Sequence, residues 1–156
     1  MTQEGAALRS VNLTEARNLS PLFDEAVRHE KPILIVRNRR EWGVLVSRDA
    51  MLRMLDSYRF HVHVLPEDDG SFTLWLDELD LGAHGPTLRE AGRELLAAIR
   101  SHLSDYRAQF DLYRHLPDRA SQEPYVLRLS LACDNTELLA MLFPAEDAEQ
   151  PRATAS

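Results

Sequence analysis

Four arginines in the first third of the chain, Arg17, Arg37, Arg39 and Arg40, have the type and spacing to do recognition chemistry. A guanidinium is a planar fork of donors. It meets phosphate oxygens or a guanine edge with two parallel hydrogen bonds. Arg37, Arg39 and Arg40 are close enough in sequence for one turn to present all three. The competing reading is a solvated turn and, for Arg17, an ion pair within its own helix, for which Glu15 is too close in sequence. Seventeen of the eighteen basic residues are Arg, a bias that genome composition also produces. The remaining candidates carry less. His61 and His63 share one face of an alternating segment, but no third ligand follows at metal-site spacing. Asp77, Glu78 and Asp80 read as a solvated turn, Cys133 as a core residue ending an apolar strand, and Trp42 and Trp75 as packing residues. Ser47 precedes a helix and reads as a cap. No catalytic residue, metal site, cofactor or small-molecule substrate is expected.

The elements that position the arginines come from periodicity and caps. Leu8 to Asn12 has the pattern of a short strand, and Asn12 with Glu15 has the spacing of a capping box. Helical character follows over Thr14 to Leu19 and restarts at Ser20-Pro21, with Ser20 as cap and Pro21 at the first helical position. Leu22, Phe23, Ala26 and Val27 form its apolar stripe. Ile33 to Val36 is a β-branched strand, Arg37 to Glu41 a polar turn and Trp42 to Val46 the return strand. Ser47 then opens a helix reaching about Tyr58.

From Arg59 the period changes to two. Phe60 to Leu65 and Phe72 to Asp77 alternate around the turn signal Glu67-Asp68-Asp69-Gly70-Ser71, with a possible third strand near Leu81 to Ala83. Thr87 and Glu90 open a long helix reaching about Tyr113. His115 to Pro124 reads as a polar loop, Tyr125 to Leu131 as another strand, and Asn135 to Phe143 as a short helix capped by Asp134. The polar stretch 144–156 reads as a disordered tail.

Bulk composition narrows the class. At 156 residues, 44% hydrophobic and 28% charged, the chain is an ordinary folded protein of one domain or two small ones. No apolar run is long enough for a membrane helix, the start lacks a secretory apolar core, and a single cysteine rules out an internal disulfide framework. A cytoplasmic location is expected. Residues 1–60 hold ten Lys and Arg against eight Asp and Glu, a net of +2, whereas residues 61–156 hold eight against seventeen, a net of -9. The front suits nucleic acid; the back repels phosphate and suits a basic protein.

The order of motifs in residues 8–58 resembles the Phd/YefM ("prevent-host-death") antitoxins. Thr14-Glu15-Ala16-Arg17 with Asn18-Leu19-Ser20 is similar to the family's opening, and Pro32 to Arg37 to its first strand. Gly43 to Ser47 resembles the return strand, and Asp49 to Leu55 the following helix. Two departures stand out. Arg17 abuts Asn18, where most members have one more residue, and the turn Asn38-Arg39-Arg40-Glu41 lacks the family's glycine. Residues 67–91 are similar, more weakly, to the sheet-and-helix run of HicB-type antitoxins.

The resemblance implies a dimer presenting Arg17, Arg37, Arg39 and Arg40 to operator DNA, and a non-enzymatic antitoxin that binds a cognate toxin, expected to be an mRNA-cleaving one. The expected architecture is α+β. Residues 1–58 form a small DNA-binding and dimerisation domain, and residues 59–143 a ββ(β)αβα domain for a basic toxin. The alternatives are a protein-binding module that never meets DNA and a small metal-dependent enzyme built on His61 and His63.

Overall fold

The computed structural model describes residues 9–12 and 14–145. The chain divides into two compact units, residues 1–54 and 55–156.

In the first unit, β1 (Arg9–Asn12) leads through a 3₁₀ turn (Glu15–Arg17) into α1 (Leu19–Arg28). β2 (Ile33–Arg37), β3 (Glu41–Leu45) and α2 (Arg48–Met54) follow. The sheet order is β1-β2-β3, with β1 parallel to β2 and β3 antiparallel to it. A parallel pair needs a crossover, and α1 supplies it. α1 buries Leu22 and Ala26 against Val11 and Ile33, with Ala16, Ile35 and Leu45 around them. The Asn12–Glu15 box forms: the Glu15 N–H donates to Asn12 Oδ1 at 2.9 Å, and Asn12 Nδ2 donates to Glu15 Oε1 at 3.2 Å. It closes a 3₁₀ turn, however, and not the expected helix. The cap of α1 is Asn18, not Ser20; Ser20 and Pro21 lie in its first turn, where a missing N–H costs nothing. Ser47 does cap α2, its Oγ accepting from the Ala50 N–H at 3.0 Å.

The second unit begins with an antiparallel sheet of β4 (Val62–Pro66), β5 (Phe72–Leu76) and β6 (Leu81–Gly85) in that order. A 3₁₀ turn (Asp77–Leu79) joins the last two. Its helices are α3 (Leu88–Ala108), α4 (Phe110–Tyr113), α5 (Pro117–Ala120), α6 (Glu123–Ser130) and α7 (Asn135–Leu142). Thr87 and Asp134 cap α3 and α7, accepting from the N–H groups of Glu90 and Glu137. Leu74, Leu76 and Leu79 meet Ala91, Leu95 and Ile99 of α3, and Val126, Leu129, Leu138 and Leu142 close the core from α6 and α7.

The architecture is α+β, with two small three-stranded sheets, but the last expected strand is a helix. Tyr125, Leu127, Leu129 and Leu131 alternate as a strand would. The buried residues are instead Gln122, Val126 and Leu129, at helical spacing, while Leu127 is exposed. Pro124 sits in the first turn of α6, a helix-start position, and part of the expected loop 115–124 is α5. Cys133, expected in the core, follows that helix and is exposed. The expected tail lies outside the described residues from 146 onward. No helix among the described residues is long and apolar enough to cross a membrane.

Candidate nucleic-acid interface

The first unit brings the four arginines to one end of its sheet. β1 and β2 are parallel, with Asn12 beside Val36. The chain leaves β1 just past Asn12 to form the 3₁₀ turn that ends in Arg17. It leaves β2 just past Val36, at Arg37, to form the hairpin turn holding Arg39 and Arg40. Both departures are from the same end of the sheet, and α1 starts there too. No side-chain hydrogen bond caps the start of α1, and its first turn holds no carboxylate. The helix N-terminus therefore adds partial positive charge at the end where the arginines emerge.

Arg17, Arg37, Arg39 and Arg40 are all exposed. The turn that carries two of them is built without glycine. The Arg40 N–H donates to the Arg37 carbonyl at 3.1 Å, and Asn38 and Arg39 take φ values of 50° and 58°. Two successive left-handed residues make this a type I′ turn, whose twist matches that of the strands it joins. Asn tolerates that region; Arg does so only at a cost.

Arg37 is not free. Its Nε donates to Glu41, the residue opposite it in the hairpin register, and both side chains are a little over half exposed. The bond raises the Arg37 pKa and holds the Glu41 carboxylate below its ordinary value. The sequence reading missed Glu41 as this partner. The signal was present, because residues flanking a hairpin turn face each other once the register is fixed.

Trp42 and Trp75, expected to pack, are both exposed, at 57% and 38%. α1 covers the face of the first sheet that carries Ile33, Ile35 and Leu45. The opposite face carries Leu34 and Val36, registered against Val44 and Trp42. Val44 is 58% exposed. The outer side of α1 adds exposed Leu19, Phe23 and Val27 at helical spacing. In the second unit, His61 meets Glu78 and His63 meets Asp77. Among the described residues no three His, Cys, Asp or Glu side chains gather as a metal set.

Comparison with known proteins places this arrangement. A family model described as the antitoxin of RelE/RelB toxin–antitoxin systems matches residues 7–143, so one model spans both units. The crystal structure of an antitoxin part of a proposed toxin/antitoxin system from Syntrophomonas wolfei subsp. wolfei is similar, with a TM-score of 0.72 and 27% identity. The likeness covers 87% of this chain and 97% of that one, and with it the α+β arrangement. No curated protein matches. The chain belongs to the PHD-like family of antitoxins of RelE/RelB-type toxin–antitoxin systems.

Proposed function

We propose that the chain neutralises a cognate basic, RNA-cleaving toxin by direct binding, without catalysis of its own. In this reading it also represses its own operon in the cytoplasm, with the first unit gripping operator DNA in the Phd/YefM manner. The observation that carries the DNA arm is the convergence of Arg17, Arg37, Arg39 and Arg40 on one end of the first sheet, beside the start of α1. Phosphates meet guanidinia and uncapped amides together there.

A second copy completes this unit. Among the described residues its buried cluster is Val11, Leu22, Ala26 and Ile33, with Ala16, Ile35 and Leu45 packed on it, a small core for so short a segment, while the open sheet face is apolar. Joining two copies through Leu34, Val36, Trp42 and Val44 covers that face. A two-fold pair then presents two arginine sets to a palindromic site.

The test is a gel-shift titration against DNA from upstream of the chain's own reading frame. The expected result is salt-dependent binding that weakens by about tenfold or more when Arg17, Arg39 and Arg40 are replaced by Ala. Binding by that variant equal to the wild type removes the DNA arm. The Arg37–Glu41 pair favours one alternative, a protein-binding module that never meets DNA, and the same titration decides it.

A further inference from the structure

The sheet of the second unit has one face against α3 and one face open. The open face is written in two ranks by the register. His63, Trp75 and Gly82 lie side by side, as do Leu65, Thr73 and His84. The reverse face carries Leu74 and Leu76, which are fully buried. Trp75 is set on Gly82: a methyl group there would lie 2.8 Å from two atoms of the indole ring, so a larger residue would displace the ring from the strand. One side of the indole rests on the strand and the ring remains 38% exposed, while Leu65 is 49% exposed.

Carboxylates surround these two apolar groups. Asp77 is bonded to His63 at 2.6 Å, Glu67 accepts from Thr73 Oγ1 at 2.7 Å, and Glu78 holds both the ring and the N–H of His61. None of the six positions on the face is Lys or Arg. An exposed indole with carboxylates at its margin is complementary to a guanidinium, which stacks on the ring and forks onto a carboxylate. A phosphate would meet no Lys or Arg at these positions, and His63 already faces the Asp77 carboxylate.

We infer that the open face of this sheet is a docking surface for an arginine-bearing basic segment of the toxin. One arginine stacks on Trp75 and pairs with Asp77, and an apolar neighbour lies on Leu65. The inference rests on the antitoxin reading and adds to it the surface and the side-chain chemistry of the partner. It also separates the two sheets by job. The first has an apolar open face suited to a copy of itself; the second has an aromatic and acidic one suited to a different, basic chain.

The experiment uses the full-length chain and the basic protein encoded by the adjoining reading frame, with rescue of growth and binding measured in parallel. The tryptophan emission of the wild type should change on titration with that protein, and Trp75→Phe should lose that change. Glu67→Arg with Asp77→Arg should weaken binding by about 100-fold and abolish rescue, because like charges then oppose. Trp75→Phe, which keeps the strand covered, should weaken binding by several-fold through the poorer stacking surface. Thermal melts superimposable with the wild type show that these variants fold. Rescue by the wild type together with undiminished binding by the double-arginine variant overturns the docking surface and leaves the antitoxin reading standing. Failure of the wild type to rescue overturns both. Saturable quenching of Trp75 by a polyuridine strand, with none by the basic protein, also overturns the inference.

Discussion

Two glycines seven residues apart should respond in opposite directions to the same substitution. Gly85 ends β6 and is buried where the strand meets α3. A methyl group there would lie 2.3 Å from the Ala91 backbone N, 2.8 Å from the Glu90 carbonyl carbon and 2.9 Å from Ala91 Cα. All three atoms are backbone, so no rotamer change relieves the clash. The strand and helix must separate by about 1 Å, opening the packing of Leu74 and Leu76 on Leu95 and Ile99. Overpacking a core costs about 1–3 kcal/mol, and with no soft side chain to yield, Gly85→Ala belongs near or above the upper figure. Gly92 lies inside α3, and a methyl group there meets nothing within 4 Å. Gly92→Ala should stabilise by about 0.5–1 kcal/mol, because glycine is the costlier helix residue. Urea unfolding in a Trp42→Phe background, read by Trp75, isolates the second unit. At a slope of about 1.5 kcal/mol per molar, Gly85→Ala should lower the midpoint by about 2 M and Gly92→Ala should raise it by about 0.5 M. A Gly85→Ala midpoint within about 0.3 M of the wild type would refute the close approach of β6 and α3.

Four further outcomes test separate features. Arg128 reaches from α6 to the Tyr58 carbonyl at 2.5 Å and lies over the Phe60 ring, so Arg128→Ala should cost about 2 kcal/mol in the same urea assay. Arg39→Gly relieves a left-handed arginine and should stabilise the first unit by about 0.5 kcal/mol after the added freedom of the unfolded chain, read by Trp42 in a Trp75→Phe background. Glu41→Gln releases Arg37 from its partner; under the repressor reading, operator affinity should rise and the salt dependence steepen by about one unit. Burial lowers the pKa of His102, and Arg119 adds to this against the opposing effects of the Gln122 bond and Asp105. The unfolded chain therefore takes up the proton first. The contribution is intact above the ordinary histidine range and is lost as pH falls from there through the lowered folded-state value. The difference in urea midpoint between pH 7.5 and pH 5.5 should shrink in His102→Gln.

The sequence exposed those features whose signal is local. Ile33 to Val36 and Gly43 to Leu45 are apolar runs around a polar turn, and Thr87 with Glu90 is a box three residues wide; each is decided by its immediate neighbours. Tyr125 to Leu131 went astray because its alternation satisfied the strand template. Only contact with α3, far away in sequence, selects Val126 and Leu129 as the buried pair. The Arg37–Glu41 pair was hidden for a milder form of the same reason, since it exists only once the hairpin has chosen its register. The two tryptophans failed in the other direction. Their size argues for a core, and nothing in the sequence says that the sheet faces they occupy are left uncovered.

The unequal cores of the two units carry an evolutionary consequence. In the second unit, a change at Leu79, Ile99 or Leu129 is judged by the fold, whatever partner is present. In the first, the buried cluster among the described residues is Val11, Leu22, Ala26 and Ile33, packed by Ala16, Ile35 and Leu45, and fewer changes are judged that way. Leu19, Phe23, Val27, Trp42, Val44 and Met54 are exposed, so under the dimer reading the fitness of those at the interface is set by another copy of the chain. Drift in the core of the second unit would then be limited within one molecule, whereas in the first unit it is limited by agreement between two. Lineages carrying several such pairs could diverge fastest in the first unit, where a few matched changes keep their dimers apart.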